Sequence, residues 1–198
     1  MPFPSPGFLR TYFFRRGALA LAGLVMFSPS ARSGPVADVS GFFAEKLDRI
    51  NLAARSGSWD VYTTGYAWHA PWAYDAATRA RLNDTTWGGG FGRSVTDADG
   101  DRHSVFFVAF SDSHRTPQFV LSYAWQRYWP ANRDWSLGWG YMAFMFSRED
   151  VARYLPLPAV LPCASVRYRR WEAIGQFVPH ISKDIKGDVF FIFMRVGL

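Results

Sequence analysis

Val189-Phe190-Phe191-Ile192-Phe193-Met194-Arg195-Val196-Gly197-Leu198 closes the chain, and its reading decides the fold. At a period of two, Phe190, Ile192, Met194, Val196 and Leu198 share one face, while Val189, Phe191, Phe193, Arg195 and Gly197 share the other. The same alternation recurs upstream. Phe119, Leu121, Tyr123 and Trp125 alternate with Val120, Ser122, Ala124 and Gln126. Trp135, Leu137, Trp139, Tyr141, Ala143 and Met145 alternate with Ser136, Gly138, Gly140, Met142, Phe144 and Phe146. A continuous apolar face ending in Trp or Tyr is what lipid contact with an interfacial aromatic girdle selects.

Eight candidate strands follow, over 60–69, 87–96, 103–111, 118–129, 135–147, 160–169, 171–180 and 188–198. An even number of strands of roughly 9–11 residues is what a bacterial outer-membrane barrel uses. Closure also removes edge strands, whose unpaired backbone groups lipid cannot satisfy. The expected fold is therefore all-β, an eight-stranded antiparallel outer-membrane β-barrel preceded by an N-terminal amphipathic α-helix. A soluble ligand-binding barrel is the plainer alternative, but it is apolar inside and polar outside. The aromatic outer faces and the export signal described next favour the membrane barrel.

Composition supports one folded domain. The 198 residues are 49% hydrophobic, 18% aromatic and 19% charged, which excludes a disordered chain. No stretch reaches the roughly 18 apolar residues of a spanning helix. The single cysteine, Cys163, allows neither an internal disulfide nor a cysteine metal cluster.

Residues 1–33 read as an export signal peptide: Arg10, Arg15 and Arg16 flank the short apolar core Gly17–Phe27, and Ala31 and Ser33 are spaced like a cleavage site. This segment carries four of the 22 basic residues and none of the 16 acidic ones, so the mature chain is near neutrality and is not expected to bind nucleic acid. Residues 34–57 read as a periplasmic amphipathic helix. Phe43, Leu47, Ile50 and Ala54 share a face, Ser40 is a candidate N-cap and Gly57 a stop. Residues 58–198 form the transmembrane barrel.

Strand direction then places chemistry. If the chain enters from the periplasm, the first strand rises to His69, the second descends, and the third rises to Asp112-Ser113 at the same outer rim. Taken alone, His69 is a rim histidine and Asp112-Ser113 a turn or loop cap. Brought together, such residues suit acyl transfer, in which His moves a proton, Asp orients it and a hydroxyl attacks or polarises.

Other motifs are set aside. Trp87-Gly88-Gly89-Gly90-Phe91-Gly92 lacks the spacing and following Lys of a phosphate loop. Asp97, Asp99 and Asp101 suggest a calcium loop, but Gly100 is misplaced and Val108 stands where the closing Glu belongs, so the segment is a turn. His103, His114 and His180 show no metal-ligand spacing, and no metal is expected. An inward row containing Ala124, Gly138, Gly140 and Met142 is unusually apolar for a barrel lumen and suggests a pocket for a hydrocarbon chain.

Tyr66-Ala67-Trp68-His69-Ala70, Tyr74-Asp75, the Trp87–Gly92 segment, Ala109-Phe110-Ser111-Asp112-Ser113, Leu155-Pro156-Leu157-Pro158 and Leu161-Pro162-Cys163-Ala164-Ser165-Val166 resemble, in order and spacing, the lipid A palmitoyltransferase (PagP) family. The resemblance spans essentially the whole mature chain. It implies an outer-membrane acyltransferase, exported through the periplasm. Such an enzyme moves a palmitoyl chain from the sn-1 position of a glycerophospholipid to the lipid A of lipopolysaccharide, without a cofactor. A monomer is expected. It implies catalytic roles for His69, which manages the proton, Asp112, which supports it, and Ser113. It also implies an acyl pocket that gauges chain length.

The chain departs from the family at three places. Ala124 stands where the family has a glycine at the pocket floor, which predicts a preference shifted below sixteen carbons or a loosened one. Pro162 and Pro179 match one pair of prolines flanking a lateral lipid entrance, but Thr64 and Thr86 replace the other pair. Leu198 ends the chain in place of an aromatic residue. Two other functions fit the residues: a lipid A deacylase, and a structural or adhesive barrel without catalysis.

Overall fold

The structure, a computed structural model, describes residues 35–149, 152–179 and 188–198. The expected export signal over residues 1–33 lies outside the described residues. Eight strands close into an antiparallel barrel in sequence order, β1 pairing with both β2 and β8. They are β1 Ser58–His69, β2 Gly88–Thr96, β3 Arg102–Ser111, β4 Pro117–Pro130, β5 Trp135–Ser147, β6 Leu157–Tyr168, β7 Trp171–Val178 and β8 Val189–Gly197. Before them runs the helix α1, Pro35–Ser56. A single-turn helix α2, Ala76–Arg79, lies between β1 and β2. Among the described residues no helix is long and apolar enough to cross a membrane.

Two compact units divide the chain after Lys46. The first contributes α1 as far as Lys46, where the Phe42 and Phe43 rings meet edge to face and Lys46 lies over Phe42. Ser40 lies within α1 and does not cap it. The helix starts at Pro35, a residue whose missing N–H costs nothing in a first turn. In the second unit, from Leu47 onward, Gly57 ends the helix as expected, its N–H donating to Ala53 O at 3.0 Å. Arg93 of β2 satisfies the orphan carbonyls of that end, donating to Gly57, Ala54 and Arg55 at 2.8–3.0 Å. A Cβ on Gly57 would lie 2.5 Å from Ala53 O and 2.8 Å from Ser94 O, so only glycine fits this turn.

Every expected strand is present, within about three residues at its ends. The largest difference is β6, which starts at Leu157 in spite of Pro158 and Pro162. Among the described residues its ladder to β7 reaches only Cys163↔Gln176 and residues 157–162 pair with β5 alone, and proline is least costly in such a one-sided stretch.

The outer face is the apolar one. Val61, Phe91, Phe107, Leu121, Leu137 and Ile192 are exposed around its waist. Trp59, Trp129, Trp135 and Trp171 are exposed where strands begin or end near the β2–β3 turn side, and Trp72 and Trp87 at the opposite rim. An apolar band between aromatic girdles is the outer-membrane pattern.

The inside is divided. Tyr62, Phe106, Val108, Ala124, Met142, Cys163, Ile174 and Phe193 form a buried apolar cluster, with Phe110, Val120, Phe144 and Phe191 packed on it. Below it, at the end where β1 starts and β8 finishes, the interior is charged. Glu172 accepts from Arg195 Nε (2.8 Å), Arg102 Nη1 (2.8 Å), Tyr128 OH (2.7 Å) and Gln126 Nε2 (3.0 Å), and Arg195 also binds Asp60. The expectation that the inward row of Ala124, Gly138, Gly140 and Met142 lines one apolar pocket is therefore corrected. Gly138 and Gly140 belong to this polar layer rather than to the apolar cluster. A Cβ on Gly138 would strike Ser165 Oγ and the Tyr128 ring, and one on Gly140 the Trp125 and Gln126 backbone. Gly140 is there because two strands approach too closely for a side chain.

The Asp97–Asp101 segment is the turn its sequence suggests. Asp97 Oδ1 accepts from the N–H groups of Asp99 (3.0 Å) and Asp101 (2.9 Å), and Gly100 takes φ +82°. Its other oxygen meets His103 Nε2 at 3.0 Å, and His103 Nδ1 meets Tyr123 OH at 2.8 Å.

Candidate active site

His69 is the last residue of β1, and Ser113 lies two residues past the end of β3. Both strands run towards the same rim, which makes these distant residues neighbours. His69 Nε2 is 2.9 Å from Ser113 Oγ. The ring is buried and meets Tyr74 edge to face at 5.3 Å. Burial, helped by the Asp188 carboxylate, pushes the Tyr74 hydroxyl above its ordinary range, so Tyr74 stays a neutral wall for the imidazole.

Asp112 is not brought to His69. Its Oδ1 accepts from the N–H groups of His114 (2.8 Å) and Thr116 (2.9 Å), and its Oδ2 pairs with Arg148 at 3.3 Å. Arg115 takes φ +64° within this turn, where its N–H donates to Asp112 O at 3.0 Å. Asp112 thus holds the five-residue loop that carries Ser113, the plainer role for an Asp in such a sequence.

The carboxylate on His69 is Asp84, whose Oδ1 is 2.7 Å from His69 Nδ1. Sequence reasoning missed it because it sits in the connection between β1 and β2, where no spacing rule applies. That connection is well built. Asp75 caps α2, accepting from Thr78 N–H and Thr78 Oγ1 at 2.8 Å; these bonds hold its carboxyl below the ordinary range. Further on, Asn83 N–H donates to Ser113 O (2.9 Å), Ala67 N–H to Asp84 O (2.8 Å) and Thr86 N–H to Gly65 O (3.2 Å).

An apolar-walled groove of about 520 Å³ adjoins these residues, lined by Asn83, Thr85, Trp87, Phe110, Ser111 and Arg115 among others. Beneath the rim the apolar cluster includes Ala124, which points inward opposite Met142 of β5. Along β3 the inward residues Phe110, Val108 and Phe106 give way to Ser104 and Arg102. The five residues from Phe106 to Phe110, at ~3.3 Å each and tilted by about 40°, make this apolar depth roughly 13 Å. Hydrocarbon of one bilayer leaflet is about 15 Å deep.

Pro162 adjoins the last β6–β7 rung, and Pro179 follows the end of β7, so both flank the stretch of β6 that has no β7 partner among the described residues. The seam between β1 and β2 differs. Above Thr63↔Gly89 it is bridged by Tyr66↔Thr85 and by the Thr86 N–H that a proline would lack. Among the described residues, no three His, Cys, Asp or Glu side chains are grouped as a metal ion would need.

A family model described as antimicrobial peptide resistance and lipid A acylation protein PagP matches residues 49–195. A lipid A acyltransferase PagP of Bordetella parapertussis is 32% identical over 93% of this chain and 98% of its own length. That of Methylobacillus flagellatus is 32% identical over 92% of this chain and 98% of its own. A Legionella pneumophila lipid A acyltransferase PagP is 32% identical over 84% of this chain and 88% of its own.

Proposed function

The chain belongs to the PagP family of lipid A acylation proteins, and we propose on that basis how its site works. It is an outer-membrane lipid A acyltransferase. Its donor is a glycerophospholipid, from whose sn-1 position it removes a palmitoyl or slightly shorter chain. The observation that carries this reading is the His69–Ser113 contact at the mouth of an apolar interior about one leaflet deep. A hydroxyl beside an imidazole is the pair that acyl transfer needs, and the apolar cluster offers a single acyl chain its hydrophobic surroundings.

The charged layer around Glu172 stops the chain from below. A methylene pressed against Glu172 or Arg195 would displace hydrogen bonds to buried charges, a cost of several kcal/mol at ~1.5–3 kcal/mol for each such bond. Ala124, with Met142 opposite, sets the last apolar level above that layer. Pro162 and Pro179 flank the lateral path by which lipid reaches the site, and the chain acts as a monomer. An export signal over residues 1–33 delivers it, and α1 lies at the membrane surface through exposed Phe42, Phe43 and Leu47.

The test supplies purified protein in detergent with acyl-labelled phospholipid and lipid A. Label moving to lipid A, with lysophospholipid as co-product and loss of transfer in His69→Ala, is expected. Free fatty acid with a lighter lipid A would mark a deacylase instead. Label remaining on the donor would mark a barrel without catalysis.

A further inference from the structure

We infer that Asp84 is the positioning carboxylate of this site, and that through His69 it makes Ser113 a nucleophile that carries the acyl group. The inference rests on the acyl-transfer reading above and extends it to a residue in the connection between β1 and β2.

Hydrogen-bond directions follow from donor chemistry alone. A carboxylate has only acceptors to offer, so the 2.7 Å contact between Asp84 Oδ1 and His69 Nδ1 puts a proton on Nδ1. In a neutral imidazole the other nitrogen is then a bare lone pair. That nitrogen, Nε2, lies 2.9 Å from Ser113 Oγ and accepts the serine proton. Without Asp84, no other described residue at this contact distance would hold the ring in that tautomer.

The backbone gives Asp84 little freedom. Asn83 N–H bonds to the Ser113 carbonyl, while Asp84 O accepts from Ala67, two residues before His69. Two consecutive residues therefore tie the serine turn to the histidine strand. The Asp84 side chain is 45% exposed while that of His69 is 3% exposed, so the carboxylate stays wet and its partner dry. Solvent weakens the electrostatic part of this hydrogen bond but does not alter the orientation the bond imposes.

The reaction balances with the two substrates alone. Ser113 Oγ bonds to the ester carbonyl carbon of the donor as its proton passes to His69 Nε2. Collapse breaks the bond to the glycerol oxygen, which takes that proton and leaves as lysophospholipid. The acceptor hydroxyl then attacks the acyl-serine ester, His69 receives its proton, and Ser113 departs with that proton restored. Asp84 steadies the imidazolium in both halves.

The experiment uses the full chain in detergent and an alkyl fluorophosphonate, which forms a phosphorus–oxygen bond to an activated serine and releases fluoride. Mass spectrometry should find the adduct on Ser113. Asp84→Asn should slow labelling by about 10²-fold or more, because the amide can present N–H to Nδ1 and favour the wrong tautomer. Asp84→Glu should recover part of the rate. In acyl transfer the Asn variant should lose kcat while its KM for phospholipid changes little, and nitrogen NMR should show loss of the Nδ1-protonated form of His69. Migration of the unheated protein on a gel confirms an intact barrel, since the backbone bonds of Asp84 do not need its carboxylate. Labelling and transfer at wild-type rates in Asp84→Asn would overturn the inference. So would an equal loss in the Glu and Asn variants without any change in the NMR signal. Asp84-dependent labelling without transfer to lipid A would instead overturn the acyltransferase reading and leave the role of Asp84 standing.

Discussion

Arg195 and Glu172 face each other across the β7–β8 ladder, joined by a bond of 2.8 Å with both side chains buried. Arg102, Tyr128 and Gln126 converge on the same carboxylate. One acid thus closes the barrel interior beneath its apolar half.

Glu172→Ala should be costly for that reason. It leaves Arg195 short of one partner and Arg102 without its carboxylate, and breaking a buried pair costs about 3–5 kcal/mol. Guanidinium unfolding in detergent should show a lower midpoint, and an unchanged midpoint would mean that the floor contributes no stability.

Asp112 predicts a graded pair of variants. Asn at this position can still accept from His114 and Thr116 and loses the Arg148 ion pair, so Asp112→Asn should keep activity within about tenfold. Asp112→Ala releases the loop bearing Ser113, and misplacement by ~1 Å can cost about 10²-fold. Steady-state kcat of the two variants checks this; equal and complete losses would give Asp112 a direct part in the reaction.

Chain length should respond at Ala124. Removing its methyl deepens the apolar level by about one methylene, worth ~0.8 kcal/mol or about fourfold in preference. Ala124→Gly should therefore shift the transferred chain upward in a mixed series of phospholipid donors, as read by mass spectrometry of lipid A. Met142→Ala should broaden the selection and destabilise the barrel by about 2–5 kcal/mol. An unchanged profile in both variants would remove these residues from the gauge.

Acid should loosen the β2–β3 turn. Burial pushes the Asp97 carboxyl up, but the His103 ring and the N–H groups of Asp101 and Asp99 outweigh it and hold the group below its ordinary range. A depressed folded value contributes stability that is complete above the unfolded value, ~3.9, and is lost as pH falls through the folded value. Thermal melts of the wild type should fall off below about pH 4, and Asp97→Asn should be less stable at neutral pH with a flatter acid limb. Parallel acid limbs would show that Asp97 does not control this transition.

Much of this molecule is legible along the chain. Strand alternation needs only neighbouring residues, so the eight strands, their outward aromatic rows and the common rim of His69 and Ser113 follow from period and direction. The charged floor was partly legible as well. Asp60, Glu172 and Arg195 stand at strand positions that alternate with lipid-facing ones, and the apolar reading of the inward rows passed over them. Gly138 and Gly140 looked like room for a ligand, yet their cause is cross-strand crowding against Tyr128 and the Trp125 backbone.

The sequence by itself determined the barrel, its lipid-facing side and the end at which the chemistry gathers, because each depends on a repeat of two residues and on strand sense. Only the tertiary structure decided which acid meets His69. Asp112 and Asp84 both lie near that rim, and the choice rests on two side-chain directions. The turn hydrogen bonds of Asp112 occupy one carboxylate oxygen and the other lies in an ion pair with Arg148, while Ala67 and Ser113 fix the backbone that aims Asp84 at the imidazole. A loop has no period, so its side-chain directions become fixed only when the strands on either side supply its hydrogen bonds.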